Sequence, residues 1–403
     1  MTGCRNFNGV VVRRKALWII VSSIAIVTGL LLMATCGFGY YIYTWLQVNP
    51  IVVKSDATES ERLAEVERWL DGQFERNKFN GGVLLVRDGR VLLSKTCGYT
   101  DHTAQQRLDE HSAFRLASVS KQFTAAGVLR LAEMGVLGLD DPVAKHIDGF
   151  MDDAVTIRHL LNQASGIPDV YMDLAERYRK ELGDVLTISD VIQLVNEHAE
   201  LECPPGKKKQ YSNTNYVLLA GIVESVSGMA FEEFMKKELF DPLEMNDTRI
   251  WNLQSTERST NQAEDFDQID NVRTSVKPTW LDGVAGDGAV FCSLHDFVKW
   301  DRFWDGNPLV SDELLDQAIE RPRLSSGAKS DYGFGWVVER NRHWHNGSWL
   351  GAGTFIARYP KNRCCLVVLD NSSNHRVDTI AERLEEALEP ILFGDETSNG
   401  QLR

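Results

Sequence analysis

The chain has 403 residues, 43% of them hydrophobic and 25% charged, with a formal net charge of -14. Such a composition belongs to a folded globular protein and excludes a disordered one. The acidic balance, with no basic face to offset it, also excludes a nucleic-acid binder, because phosphate affinity rests on clustered lysine and arginine.

The first element along the chain is apolar. From Ala16 to Val53 there is no charged residue, ample for a membrane span, since about 20 helical residues cross a hydrocarbon core roughly 30 Å thick. Arg5, Arg13, Arg14 and Lys15 precede this run, and Lys54, Asp56 and Glu59 follow it. The positive-inside rule therefore predicts a cytoplasmic amino terminus, with the rest of the chain on the periplasmic or extracellular side. Tyr40, Tyr41, Tyr43 and Trp45 suit the outer interface. A cleaved signal peptide is the alternative, but the apolar run exceeds the ~7 to 15 residues of a typical signal core. A lipid-modified Cys36 is weaker still, because Thr35 stands where such cleavage sites want a smaller residue. The expected organisation is a basic cytoplasmic tail (1–15), a transmembrane anchor (16–45), a linker (46–60), a folded domain (61–392) and a polar tail (393–403).

Beyond the linker, Leu63, Val66, Leu70 and Phe74 recur at helical spacing. "GGVLLVRDGRVLLSKTCGYT" then gives two β-rich runs around Asp88-Gly89, a strong hairpin signal. The middle, from Ser118 to about Trp304, reads as helices and loops. "YGFGWVVER", "GTFIARYP" and "CCLVVLDN" read as three more strands, and Val377, Ile380, Leu384 and Leu388 mark a last amphipathic helix. Strands at both ends of a domain most economically form one antiparallel sheet flanked by the terminal helices. The predicted class is thus α+β, with a mostly helical lobe inserted between the two sets of strands and a cleft between them as the default site. The seven cysteines show neither a disulfide framework nor a CxxC pair for zinc, and read as scattered core thiols.

The chemistry-bearing residues come in three groups. Ser118 and Lys121 stand three apart at the head of an apolar run, "FRLASVSKQFTAAGVLRLAEMGVL". At the start of a helix, i and i+3 share a face, so the amine can lie beside the hydroxyl. A bare Ser-x-x-Lys is weak evidence: a second copy, Ser326 and Lys329, sits in a Gly- and Ser-rich stretch that reads as a loop. Further on, Tyr211, Ser212 and Asn213 precede another apolar helix, and "HWHNGSWLGAGTF" brings His345, Asn346 and Gly347 into a strand.

The order Ser-x-x-Lys, Tyr-x-Asn, His-x-Gly resembles that of the serine β-lactamase and penicillin-binding protein family, nearest its class C branch with the esterase and D-aminopeptidase relatives. "LLNQASGIPD", "AGDGAVFCSLHDF" and "YGFGW" resemble the same family, and the resemblance covers the whole 61–392 domain. It implies the β-lactamase/transpeptidase-like fold, with Ser118 acylated while Lys121 and Tyr211 exchange its proton. It further implies that Asn213 binds the substrate amide and that the N–H groups of Ser118 and Ser348 form the oxyanion hole. Gly347 would let substrate approach the strand closely. A free lysine titrates near 10.4 and a free tyrosine near about 10, so either needs help from its surroundings to act as base at neutral pH. The two are best assigned the role jointly.

One departure bears on substrate. Penicillin-targeted members usually carry lysine where this chain has His345, and a histidine with a pKa of about 6.5 is mostly neutral at pH 7. The resemblance therefore implies a small-molecule ester, amide or peptide substrate ahead of a β-lactam or D-Ala-D-Ala terminus. A penicillin receptor that scarcely turns over and a catalytically silent cell-wall-binding member remain open. No metal site and no organic cofactor are expected: His102, His111, His146, His159, His198 and His295 lack a ligand spacing and read as structural or surface groups. No Gly-x-Ser-x-Gly elbow exists, and "GKKKQ" at Gly206 is a basic turn.

Overall fold

Thr58 starts the first helix. Its hydroxyl accepts from the Glu61 N–H while the Glu61 carboxylate accepts from the Thr58 N–H, a reciprocal pair that satisfies two orphan donors of α1 (Glu59–Glu75). The computed structural model describes residues 48–394 except 256–257, 270–271 and 374–375. From Pro50 onward these form one compact unit. The basic tail, the 16–45 anchor and most of the polar tail lie outside the described residues. Among the described residues, no helix is long and apolar enough to cross a membrane.

The main sheet has six strands, all paired antiparallel: β1 (Gly81–Arg87), β2 (Arg90–Cys97), β8 (Val337–Val338), β9 (His343–Trp349), β10 (Ala352–Tyr359) and β11 (Cys364–Asp370), in the order β2-β1-β11-β10-β9-β8. The Asp88-Gly89 hairpin forms as predicted, with both residues at positive φ (51° and 69°), the backbone a tight right-twisting turn requires. β1 lies between its hairpin partner and the carboxyl-terminal strand β11, with Gly81 opposite Asp370. The two ends of the domain thus build one sheet.

Between the two sets of strands run β3 (Phe114–Arg115), α2 (Ser120–Glu133), α3 (Ile157–Leu161), α4 (Tyr171–Arg177), α5 (Ile188–His198), α6 (Asn213–Ser227), α7 (Phe231–Met235), β4 (Arg249–Ile250), the β5–β6 hairpin (Phe266–Ile269 and Val272–Ser275), β7 (Val290–Cys292), α8 (Leu294–Phe303) and α9 (Asp312–Ala318). The last helix, α10, is Val377–Leu392, and all four of its predicted apolar positions are buried.

Strand neighbours point to opposite faces, which places the helices. Gly82 faces Leu294 of α8, whereas Gly353, joined through Asp370 to Gly81, faces Val377 of α10. So α8 covers one face and α10 the other, with α1 tied to α10 where Arg62 donates to the Ala387 carbonyl at 2.6 Å. At the centre of the helical lobe stands α6, buried on all sides from Thr214 to Val223, as expected of a core helix. Its residues join those of the main sheet in one hydrophobic cluster. Lobe and sheet therefore share a core and part only at the cleft.

Two sequence expectations change. The strand read in "YGFGWVVER" shrinks to two residues, β8, because Phe334 and Trp336 leave the sheet to fill the core. The middle segment also carries a small sheet, β3-β7-β4, whose strands are too short to show a period. The five described cysteines are all unbridged, four of them buried.

Candidate active site

Ser118 lies in a 3-10 turn, Ala117–Val119, between β3 and α2. Ala117 has φ 46°, a left-handed conformation that costs a non-glycine residue on the order of 1 to 3 kcal/mol, and such strain gathers at functional turns. The turn is pinned from the sheet side, where the Thr354 hydroxyl on β10 donates to the Leu116 carbonyl at 2.8 Å. Polar side chains of α2 hold a loop against its other flank: Thr124 donates to the Gly286 carbonyl and Ser120 accepts from the Val290 N–H.

Lys121, the second residue of α2, is fully buried, and its amine touches three groups: Ser118 Oγ at 3.1 Å, Asn213 Oδ1 at 2.7 Å and the Asp287 carbonyl at 3.0 Å. This geometry serves both protonation states. An ammonium donates to all three, whereas a neutral amine donates to the two acceptors that lack a proton and turns its lone pair to the serine O–H. Asn213 is itself fixed by Asp169, whose carboxylate accepts from both the Asn213 N–H and its amide, each at 2.9 Å. The side chain expected to hold a substrate amide thus spends its oxygen on Lys121 and an N–H on Asp169.

Tyr211 is 39% exposed at the mouth of the cleft, with Lys121 Nζ 5.0 Å from its ring centre. Among the described residues its hydroxyl has no hydrogen-bond partner. The backbone on either side is tied to one residue, Gln163: its carbonyl accepts from the Gln210 N–H at 2.7 Å, and its side-chain oxygen accepts from the Ser212 N–H at 2.9 Å. The ring is held while its hydroxyl faces the cleft.

His345, which stands where penicillin-targeted members carry lysine and is expected to contact substrate, lines the hollow beside Ser118 and Tyr211. It is buried, its Nδ1 lies 2.6 Å from the Asn346 carbonyl and its Nε2 lies 3.0 Å from the Tyr332 hydroxyl. A carbonyl can only accept, so Nδ1 carries the proton and Nε2 accepts from Tyr332. Burial first, and the nearby Lys121 charge second, push this imidazole down to about 3. At neutral pH it is an uncharged buttress, its ring 6.2 Å from that of Tyr211.

Gly347 is where β9 meets the serine turn. A Cβ there would lie 2.6 Å from Thr354 Oγ1, 2.7 Å from the Leu116 carbonyl and 2.8 Å from the Ser118 nitrogen. Only glycine permits this approach, which brings Ser118 and Ser348 to the same cleft wall. Because β8 pairs only with His343 and Trp344, β9 from Asn346 onward has no strand partner on that side among the described residues. We expect Gly347→Ala to lower kcat/KM about 100-fold, since a shift of about 1 Å at reacting groups has that effect. An unchanged rate in a correctly folded variant would show that the strand does not position the serine.

Two hollows flank Ser118. The first, about 560 Å³, is walled in part by Arg115, Tyr171, Asp282, Asp287 and Trp349; the second, about 840 Å³, by Lys209, Tyr211, Asn346 and Asp378. Both cations are paired, Arg115 with Asp265 and Asp282, Lys209 with Asp331 at 2.6 Å. Asp287 accepts from the Tyr171 hydroxyl at 3.1 Å, and burial raises its carboxyl despite the Lys121 charge. The second Ser-x-x-Lys, Ser326 and Lys329, lies in an exposed turn away from all of this.

The fold therefore gathers Ser118, Lys121, Asn213, Tyr211, Gly347 and Ser348 around one cleft, with His345 behind Tyr211. Four residues that hold them, Gln163, Asp169, Asp287 and Tyr332, were not singled out in the sequence. Each falls inside one of the phrases "LLNQASGIPD", "AGDGAVFCSLHDF" and "YGFGW", and that clustering is the signal by which they could have been found.

The chain is similar to known proteins over most of its length. The family model described as Beta-lactamase matches residues 66–389. Penicillin-binding protein 4* of Bacillus subtilis (strain 168) is 36% identical over 337 residues, covering 79% of this chain and 74% of that protein. The octameric penicillin-binding protein homologue from Pyrococcus abyssi superposes with a TM-score of 0.68 at 26% identity, covering 81% of this chain and 76% of the other. The D-amino acid amidase from Ochrobactrum anthropi SV3 gives 0.65 at 21% identity, over 80% of this chain and 97% of the other, a likeness of fold alone.

Proposed function

The chain belongs to the Beta-lactamase family of serine hydrolases, and on that footing we propose that it cleaves an ester or amide through an acyl-enzyme on Ser118. The observation that carries this reading is the contact of Ser118 Oγ with a fully buried lysine amine at 3.1 Å, the amine being held in turn by Asn213 and the Asp287 carbonyl. Ser118 Oγ attacks the substrate carbonyl as its proton passes to the Lys121–Tyr211 pair. Negative charge on the carbonyl oxygen is taken up by the N–H groups of Ser118 and Ser348. The pair then returns the proton to the departing alcohol or amine. In the second half, Tyr211 as a phenolate takes a proton from water, whose oxygen attacks the ester carbonyl; the Oγ–acyl bond breaks, Ser118 Oγ recovers that proton from Tyr211, and the acid product is freed.

The electrostatics favour an acyl group without a carboxylate near the serine. His345 is neutral, Arg115 and Lys209 are paired with carboxylates, and Asp282 and Asp287 stand in one wall. That setting suits a neutral or amine-bearing ester or amide, as a D-amino acid amidase would take, ahead of an anionic β-lactam. A penicillin-binding activity is the alternative, raised by the Bacillus subtilis relative. We further propose that residues 16–45 anchor the enzyme, with its amino terminus cytoplasmic and the hydrolase domain on the outer side.

The test is to treat the full-length protein with a fluorophosphonate and locate the adduct by mass spectrometry, beside a panel of amino-acid esters, amides and β-lactams. Labelling confined to Ser118, with amine-bearing substrates turned over faster than β-lactams, is expected. No label on folded protein would end the hydrolase reading, and preferred turnover of a β-lactam would reverse the substrate assignment.

A further inference from the structure

The small sheet β3-β7-β4 ends in a cluster that belongs to no part of the cleft. β3 and β4 both run antiparallel to β7, so the residues just before β3, just before β4 and just after β7 meet at one end. There stand His111, Asp247 and His295. One ligand-capable atom from each lies within 4.8 Å of the others: His111 Nδ1 is 2.8 Å from Asp247 Oδ2, and His295 Nδ1 is 3.8 Å from the same oxygen. Separated along the chain, the three show no ligand spacing, and only the sheet unites them.

We infer that His111, Asp247 and His295 form a binding site for a divalent transition metal, zinc foremost, which staples the three strands together. Two imidazoles and a carboxylate are the donor set zinc accepts, at about 2.0 to 2.2 Å, with a fourth position left for water. Ligand atoms around such an ion sit roughly 3.4 Å apart. Closing the present spread needs a movement of about an ångström, which side-chain rotation supplies, since the His111 and His295 side chains are 51% and 43% exposed.

The surroundings fix the carboxylate. Ser293 donates to Asp247 Oδ2 at 3.0 Å and Asn261 to Oδ1 at 3.2 Å; the same Asn261 amide donates to the His111 carbonyl at 2.8 Å. Partners of this kind orient metal ligands and tune their affinity. Other carboxylates stand close by: Asp296 Oδ1 lies 3.4 Å from His295 Nδ1, though it also accepts from Lys299 at 3.0 Å, and Glu110 Oε1 lies 3.8 Å from His111 Nε2, while Arg249 reaches the Asp247 carbonyl at 3.5 Å. The donor set itself, two imidazoles and a carboxylate, is what selects a metal cation. Since β3 leads from this cluster straight into the Ser118 turn, the metal acts as a brace for the nucleophile strand and takes no part in the hydrolytic steps.

The test is calorimetric titration of the untagged full-length protein with zinc chloride, repeated with cobalt chloride while recording visible absorption. One Zn²⁺ per chain is expected, with the d–d bands of a low-coordinate cobalt ion. His295→Gln and His111→Gln should each weaken binding at least tenfold, while zinc should raise the melting temperature of the parent alone. An anomalous difference map of zinc-soaked crystals of the parent protein supplies a readout that needs no variant. Absence of binding, binding unaltered by both substitutions, or an anomalous peak at another place would each overturn the assignment.

Discussion

Ser118→Ala should lower turnover of the best ester substrate by about 10⁵- to 10⁶-fold, the loss that follows when a serine hydrolase is deprived of its nucleophile. What remains would come from the oxyanion donors and from binding. Lys121→Met should fall nearly as far, because it removes the amine in contact with Ser118 Oγ and leaves the Asn213 oxygen and the Asp287 carbonyl without that donor. Groups that act as one unit are not additive. The double variant should therefore be no slower than the worse single variant. Single-turnover kinetics with a chromogenic ester, with circular dichroism to verify folding, decides the matter: a Ser118→Ala enzyme within tenfold of the parent would move the reaction centre elsewhere.

The second large effect is on stability. Arg115→Leu should destabilise the domain by about 3 to 5 kcal/mol, the range for removing one member of a buried ion pair. Arg115 donates to Asp265 at 2.9 Å and to Asp282 at 3.2 Å, and all three side chains are buried. Asp282 also accepts from the Trp349 indole at 2.8 Å, so the network joins β3 to the end of β9 across the cleft wall. Burial lifts Asp265 to about 6 even with Arg115 beside it, against about 3.9 in an unfolded chain. A raised carboxyl pKa means that the folded state binds the proton more tightly, so its stability falls as pH rises from about 4 through 6. Without Arg115 that lift grows, and the deficit of the variant should be larger at pH 7.5 than at pH 4.5. Urea denaturation at both values reads it directly. A deficit below about 1 kcal/mol at pH 7.5 would mean that the network is not structural.

What could be read from the sequence follows from how locally each feature is encoded. The Asp88-Gly89 hairpin, α1 and α10 carry their periodicity and turn chemistry within a few residues, and all form where expected. The six-stranded sheet was legible because its strands are long enough to show a pattern, the short β8 excepted. The three-stranded sheet was not, because β3 and β4 have two residues each and β7 three. At the site, the order of three motifs named the residues that the fold assembles. It could not reveal that Asp169 holds Asn213, that Gln163 ties both neighbours of Tyr211, or that Tyr332 fixes the tautomer of His345, since each depends on contacts between distant segments. For the same reason His111 and His295 read as unrelated surface groups.

The pairing of β1 with β11 has a consequence for biosynthesis. Asn80 donates to the Asp370 carboxylate across 290 residues of sequence, and a ribosome adding about 5 to 20 residues per second needs about 15 to 60 s to make that stretch. Throughout that interval the amino-terminal hairpin has been made but its central partner has not. Ser118 is likewise translated long before Gly347 and Ser348, so a nascent chain carries the proposed nucleophile without the strand proposed to supply the oxyanion hole. Reactivity toward substrate should accordingly appear only when the carboxyl-terminal strands arrive.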